Sequence, residues 1–362
     1  MGTFAILSPR RNFAVDQCHI NFWIVDNRFS KVFLDVGLML SDSGTFKDQI
    51  EFDMLLPFQV KKQVKSLSTD IRNSNKISQL LFNTTITSVK RGSSVYNVEQ
   101  DKVVFLDVGD DVGPSRIKLV RNDDKSNQLQ SYWNLILPKV PCAAEAGEDI
   151  KAYLRIRFEV DNPAISSTWI WHSRMPFIQR KRSGIFDFRV LDPRGIAFHD
   201  NYLTPQTFSE SAIAVKKLRV FVVVPSRLQH YFAYPSLRHV RRLESDKWSE
   251  YLETLPRNRA FVAYYWKKDE MIDKDNPYLV HLELTHDADH FFQAFTEIGS
   301  FAIWVVLVGQ IFGFETLLNG MVTVFSTTAA WAVAAIPFLI SYRADILRIF
   351  FMFNKFLRKK KS

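Results

Sequence analysis

Two cysteines in 362 residues, Cys18 and Cys142, exclude most of what cysteine does in proteins. They lie far apart in the chain, so neither a disulfide framework nor a thiolate zinc site is indicated. Catalytic strings are missing as well. The sequence holds no Gly-rich phosphate loop, no Ser in a Gly-x-Ser-x-Gly elbow and no pair of carboxylates set for acid and base work. A protein that is not an enzyme is expected, with no cofactor. A secretory leader is not expected, because the opening MGTFAILSPRR has too short an apolar core, and Ile6 stands where myristoylation wants Ser or Thr.

The most informative absence is charge. Residues 298 to 342 carry one formally charged side chain, Glu315. About 20 helical residues cross a bilayer core of about 30 Å. The tract therefore has room for two crossings, Ile298 to Phe314 and Thr316 to Tyr342, with a reversal near Glu315. Gly309 and Gly313 form a Gly-x-x-x-Gly spacing that lets two helices approach closely, within one chain or between subunits. Asn319, Thr323 and Ser326 recur at helical spacing on one face of the second crossing, with Gln310 opposite on the first. Polar side chains in hydrocarbon face protein or water, so these residues either line a conducting path or knit a closed bundle. Two helices cannot enclose water, and a path requires several copies of the chain. Glu315 then stands at the outer mouth.

Charge returns abruptly after the tract. Residues 343 to 362 carry seven basic residues against Asp345, which is +6 of the net +9 and leaves 40 basic to 37 acidic residues before them. The turn around Glu315 and Asn319 has no Lys or Arg, so the positive-inside rule places both termini in the cytoplasm of a multi-pass inner-membrane protein. A basic excess beside a membrane helix suits anionic lipid headgroups rather than duplex nucleic acid. The tail RADILRIFFMFNKFLRKKK interleaves aromatic and basic residues and reads as an interfacial helix.

Short alternating runs dominate the rest. They fall at His19 to Val25, Val32 to Leu40, Gln49 to Leu56, Lys102 to Val108, Ile117 to Arg121 and Tyr132 to Leu137, a spacing that suggests a β-sandwich. Strands resume at Tyr153 to Val160, Ser167 to His172, Ile185 to Leu191, Leu218 to Val224, Ala260 to Trp266 and Tyr278 to Leu284. Between Pro225 and Leu255 the period turns helical, with Trp248, Tyr251 and Leu252 on one side. The expected organisation is α+β. It comprises a β-rich cytosolic domain over 1–140, an α+β domain over 150–285, a connector over 286–297, two transmembrane helices over 298–342 and the basic tail over 343–362. The segment PCAAEAGED, residues 141 to 149, is the expected junction.

Candidate ligand contacts are basic. Arg238, Arg241 and Arg242 fall in the helical segment near Tyr231 and Tyr234, so guanidinium forks for phosphate sit beside rings that stack on a base. Arg180 and Arg182 form a second cluster, and Lys61, Lys62 and Lys65 a third. For each, a solvated surface is the competing reading. His286 and His290 would share a helix face, but no third metal ligand accompanies them, and a solvated helical turn accounts for Asp287 and Asp289.

In its order of parts, a cytosolic β-rich region followed by a membrane hairpin and a basic tail, the chain resembles the membrane effectors of bacterial anti-phage defence, of the Hailong and cyclic-oligonucleotide types. The resemblance implies a homo-oligomeric channel, a nucleotide or oligonucleotide ligand, and a silent state whose loss is toxic. The expected function is a membrane pore gated by its cytosolic sensor. The alternative is a membrane-anchored adaptor that presents β domains to a partner protein.

Overall fold

The computed structural model describes residues 2–10, 12–25, 31–42, 49–74, 77, 87–88, 95–98, 101–109, 116–126, 130–138, 150–160, 170–175, 179–196, 203–243, 248, 251–252 and 260–287. The uncharged tract, with Gln310, Glu315, Asn319, Thr323 and Ser326, lies outside them, as do the connector beyond Asp287 and the basic tail. Among the described residues no helix is long and apolar enough to cross a membrane.

The alternating runs read from the sequence are strands where they are described; of Ser167 to His172 only residues 170–172 are. The strands that build the larger sheet are β2 (Phe13–Ile24), β3 (Val32–Asp42), β5 (Val60–Ser66), β6 (Thr87–Ser88), β7 (Val95–Val98), β8 (Asp101–Gly109), β11 (Ile150–Val160), β14 (Leu218–Pro225), β16 (His239–Leu243) and β17 (Phe261–Lys268). Their pairing runs β16-β17-β14-β2-β3-β11, with β2 and β14 parallel and the other neighbours antiparallel. The far edge of β11 is shared. Its first half pairs in parallel with β8 and its second half antiparallel with β5, and β8 continues to β7 and β6.

A second sheet takes β1 (Thr3–Leu7), β4 (Ile50–Leu56), β9 (Arg116–Asn122), β10 (Ser131–Leu137), β13 (Gln179–Val190), β15 (Leu228–Tyr234) and β18 (Tyr278–Asp287). It runs β15-β18-β13-β1-β4-β10-β9. A short parallel pairing of β8 with β9 links the two sheets. The remaining strand is β12 (Ile170–Met175), and two short helices, α1 (Ser68–Asn73) and α2 (Pro205–Ser211), complete the described elements besides a 3₁₀ turn at Pro193–Gly195. Helix α2 starts as its sequence dictates, with Pro205 in the first turn and the Thr204 hydroxyl accepting from the Thr207 N–H at 3.0 Å.

The main core lies between the sheets. Ile20, Phe22 and Ile24 of β2, Leu34, Val36 and Leu38 of β3, and Leu154, Ile156 and Phe158 of β11 point into it and meet Phe52 and Met54 of β4 and Phe186 and Phe188 of β13. The alternate residues do not reach solvent. Trp23, Phe33, Met39, Tyr153 and Val223 form a second core on the opposite face, covered by Leu67 and Ile71 at α1 and by Trp248, Tyr251 and Leu252. The central strands are therefore buried on both faces, the condition that gives near-continuous apolar runs.

One expectation changes. The helix read over Pro225 to Leu255 is instead, over its described residues up to Leu243, β15, a turn and β16, while the Tyr251 and Leu252 N–H groups donate to the Trp248 carbonyl at 3.1 and 3.0 Å, a helical turn. The physical reason is exposure. Residues 229–232 and 238–242 are exposed on both faces of their strands, so no two-residue period marks them. The expected junction at 141–149 lies outside the described residues, yet strands on its two sides pair directly, β3 with β11, β2 with β14 and β1 with β13. Residues 1–172 and 181–286 accordingly cluster as one compact unit.

Candidate functional site

The outer face of the larger sheet carries a row of polar and aromatic side chains set by strand register. Across the strands the row reads His239, Tyr265, Phe221, Asn21, Asp35 and Arg157. The neighbouring row places His19 beside Gly37 and Gly37 beside Arg155. Half of this face is buried and half is open.

In the buried half, Asp35 is 0% exposed, Arg155 1% and Arg157 6%. Arg157 Nε and Nη2 donate to the two oxygens of Asp35 at 2.6 and 2.8 Å, a bidentate fork, and its Nη1 donates to the Tyr251 carbonyl at 3.0 Å. Asp35 Oδ2 also accepts from Tyr251 Oη at 2.7 Å and from Trp23 Nε1 at 2.8 Å. Arg155 is held differently. Its Nε donates to Tyr251 Oη at 2.7 Å, its Nη1 to Tyr153 Oη at 3.1 Å and its Nη2 to the Asn21 side-chain oxygen at 2.6 Å, while the nearest Asp35 oxygen is 4.0 Å away. Two guanidinium groups thus share one carboxylate, and neutral dipoles carry the second. Burial alone would raise the Asp35 pKa, but the charges and hydrogen bonds of Arg157 outweigh it and hold the carboxyl below its usual range.

His19 sits at the margin of this network. Its Nε2 is 2.6 Å from Gln17 Nε2, a donor only, so that ring nitrogen accepts. Burial, then the charges of Arg155 and Arg219, push its pKa well below the ordinary histidine value. Burial likewise raises the Tyr251 and Cys18 pKa values. The network therefore brings no group to a pKa near neutrality and no nucleophile to a base, and its chemistry is fastening: Tyr251 and its helical turn are tied to β3 and β11.

In the open half, three rings form a ladder across β14, β17 and β16. Phe221 and Tyr265 stack at 4.4 Å between centroids with 20° between planes, and Tyr265 and His239 at 6.1 Å with 11°. Arg219 flanks the ladder, bonded to Asp269 at 3.2 Å, and the Arg238 N–H donates to the Tyr265 carbonyl at 2.9 Å. His239 ends the ladder at the sheet edge, exposed.

Of the residues named from sequence, Arg238, Arg241, Arg242 and Tyr234 are all exposed, the arginines at β16 and Tyr234 on β15 in the other sheet. Register separates the arginines. Arg241 lies opposite Ala263 and shares the outer face with His239, whereas Arg242 lies opposite Val262 and shares the other face with Val240. Arg180 and Arg182 lie on β13. Lys61 and Lys65 form surface ion pairs with Glu159 at 2.7 Å and Asp70 at 3.4 Å, which is the solvated-surface reading. His286 lies on β18 opposite Leu228, so no helix begins there, and His290 falls outside the described residues. Among the described residues no cluster of three or more potential ligands fits a metal ion.

Sequence reasoning passed over Asp35, Arg155 and Arg157. The signal was available, since a charge at every second position of LRIRF, between residues that must face a core, marks a charged layer on the other face.

No family model matches the chain, and no curated protein matches it. Among solved structures, a two-domain M1 zinc metallopeptidase bound to tryptophan aligns with a TM-score of 0.28 and 9% identity over 76% of this chain and 43% of its own. An M1 zinc metallopeptidase from Deinococcus radiodurans aligns at 0.30 and 10% identity, over 77% and 43%. A putative nutrient binding protein from Legionella pneumophila aligns at 0.29 and 8%, over 78% and 70%. The chain spans less than half the length of these peptidases, and likenesses of this size carry no argument about function.

Proposed function

We propose that the protein is an oligomeric, non-enzymatic membrane pore of the inner membrane, whose β-rich region binds an anionic nucleotide or oligonucleotide and biases the pore. The observation that carries the reading is the uncharged tract, residues 298–342, following within eleven residues of β18. An uninterrupted strand that runs this close to the tract is a short mechanical connection. For the ligand, the supporting feature is the ring ladder Phe221–Tyr265–His239 with Arg219 and Arg241 around it, because a base extends a stack while guanidinium groups hold phosphate. A ligand biases a pore only through different affinities for the open and closed states, so binding and conduction must be linked.

The test is the mass of the full chain in detergent together with ion flux from liposomes. An oligomer whose flux changes with an oligonucleotide, and whose response is lost in Arg241→Glu, supports the reading. A monomer that conducts nothing replaces it with the anchored adaptor.

A further inference from the structure

The edge formed by β15 and β16 is a surface of a different kind from the ring ladder. Among the described residues the registered pairings join β15 to β18 and β16 to β17, so the two strands, consecutive in the chain, belong to different sheets. The edge displays four of the six large apolar side chains exposed among the described residues, with Tyr231 64% exposed, Phe232 50%, Tyr234 57% and Val240 50%. Arg238 and Arg242 stand among them, and from Arg227 to Leu243 the sequence contains no Asp or Glu. The one carboxylate placed against these strands by register is Glu283, opposite Phe232. A bulge between His230 and Phe232 interrupts the pairing there.

Exposed aromatic rings interleaved with arginine, without acids, match one environment closely. At a membrane interface Tyr and Trp rings sit at headgroup depth, and arginine binds the phosphate and carboxylate of anionic lipids. A second copy of the chain fits poorly, since edge-to-edge pairing of β16 would bring Arg238, Arg241 and Arg242 of both copies together, the arrangement by which sheet edges avoid self-pairing. A small anionic ligand would bind in a concavity that covers most of its surface, whereas these side chains project from an edge. The neighbour of β15 is β18, the strand from which the chain proceeds to the uncharged tract at Ile298.

We infer that the β15–β16 segment is a membrane-docking edge, laying Tyr231, Phe232, Tyr234 and Val240 at the headgroup level of an anionic bilayer with Arg238 and Arg242 on lipid phosphates. The inference rests on the membrane location proposed above but not on a pore or a nucleotide. It gives the β-rich region a second, reversible attachment. Release of this edge is then a movement that the strand β18 feels directly.

The full chain, with Cys142→Ser and Phe232→Cys, is labelled with an environment-sensitive fluorophore and reconstituted into vesicles of phosphatidylcholine alone or with phosphatidylserine. Brominated lipids should quench the label in the anionic vesicles and much less in the neutral ones. Arg238→Ala and Arg242→Ala should each weaken the quenched state about fivefold, the equivalent of about 1 kcal/mol per interfacial arginine. A label that stays unquenched or is quenched equally in both vesicles overturns the docking edge, and so does unlabelled Phe232→Cys protein that forms disulfide-linked dimers through position 232 in detergent, the last in favour of a second copy. Alkaline carbonate extraction of the same vesicles reads the uncharged tract separately. Protein that is extracted by carbonate, yet floats with anionic vesicles in an arginine-dependent way, would refute the spanning hairpin and keep the docking edge.

Discussion

Asp35 accepts from Arg157, Tyr251 and Trp23 inside a face that excludes water, and its removal leaves two buried guanidinium groups without a counter-charge. Breaking such a pair from one side costs about 3–5 kcal/mol, far more than an exposed ion pair is worth. Asp35→Ala should lower the unfolding free energy of the full chain by that amount, measured as a urea midpoint in mild detergent. A loss under about 1 kcal/mol would show that the network is dispensable. His19 makes the pH dependence specific. Its folded pKa lies well below that of the unfolded chain, which titrates near about 6.5. The neutral ring therefore contributes stability above about pH 6.5 that is lost as the pH falls below it. Asp35, depressed in the fold, contributes stability above its unfolded value of about 4 that is lost further down. In His19→Gln the first descent should vanish and the second remain, read from thermal midpoints between about pH 7 and 3.

At the scale of the element, β3 depends on a glycine for its polar layer. A Cβ at Gly37 would lie 2.6 Å from Tyr153 Oη, 3.0 Å from Arg155 Nη1 and 3.2 Å from His19 Cβ. Only the absence of a side chain lets Arg155 cross the strand to reach Asn21 and Tyr251. Gly37→Ala should cost about 1–3 kcal/mol, the range for overpacking a filled site, and should expose Tyr251 to exchange and quenching because its anchor is displaced. Unchanged stability in that variant would mean that the arginine layer shifts without loss. The segment β15–β16 shows the opposite arrangement. Between the buried Leu228 and Leu243, Tyr231, Phe232, Tyr234 and Val240 are exposed, so substitutions at these four test function rather than folding.

For the whole molecule, the expected topology places both termini in the cytoplasm and the turn near Glu315 outside. A cysteine at Asn319 should react with an impermeant thiol reagent in intact cells, and one at Ser362 should not. Reversed labelling would place the β-rich region on the outer side. If Thr323 and Ser326 line the path, replacing either with Leu should cut ion flux several-fold while membrane insertion is retained, because the change fills the path and leaves the span more apolar. Neutralising Glu315 should lower cation preference, measured as a shift in reversal potential. Flux that is unchanged in correctly assembled Thr323→Leu returns these residues to helix packing.

The alternating strands were legible in the sequence because a period of two survives wherever one face of a strand meets the core, as in His19 to Val25 and Leu218 to Val224. The uncharged tract was legible too, since a stretch without charge is a property of composition alone. Other features were settled by the tertiary structure. Alternation shows that Asp35, Arg155 and Arg157 share a face with Trp23 and Tyr153, but not that a helical turn more than ninety residues away covers that face and makes their charges interdependent. Nor does local pattern reveal that β15 and β16 belong to two different sheets, because a strand exposed on both sides has no period. The sequence by itself determined which residues lie on the same side of a strand; which sides are closed, and which arginines are buried in a network rather than offered to a partner, was decided by strand pairing between segments far apart in the chain.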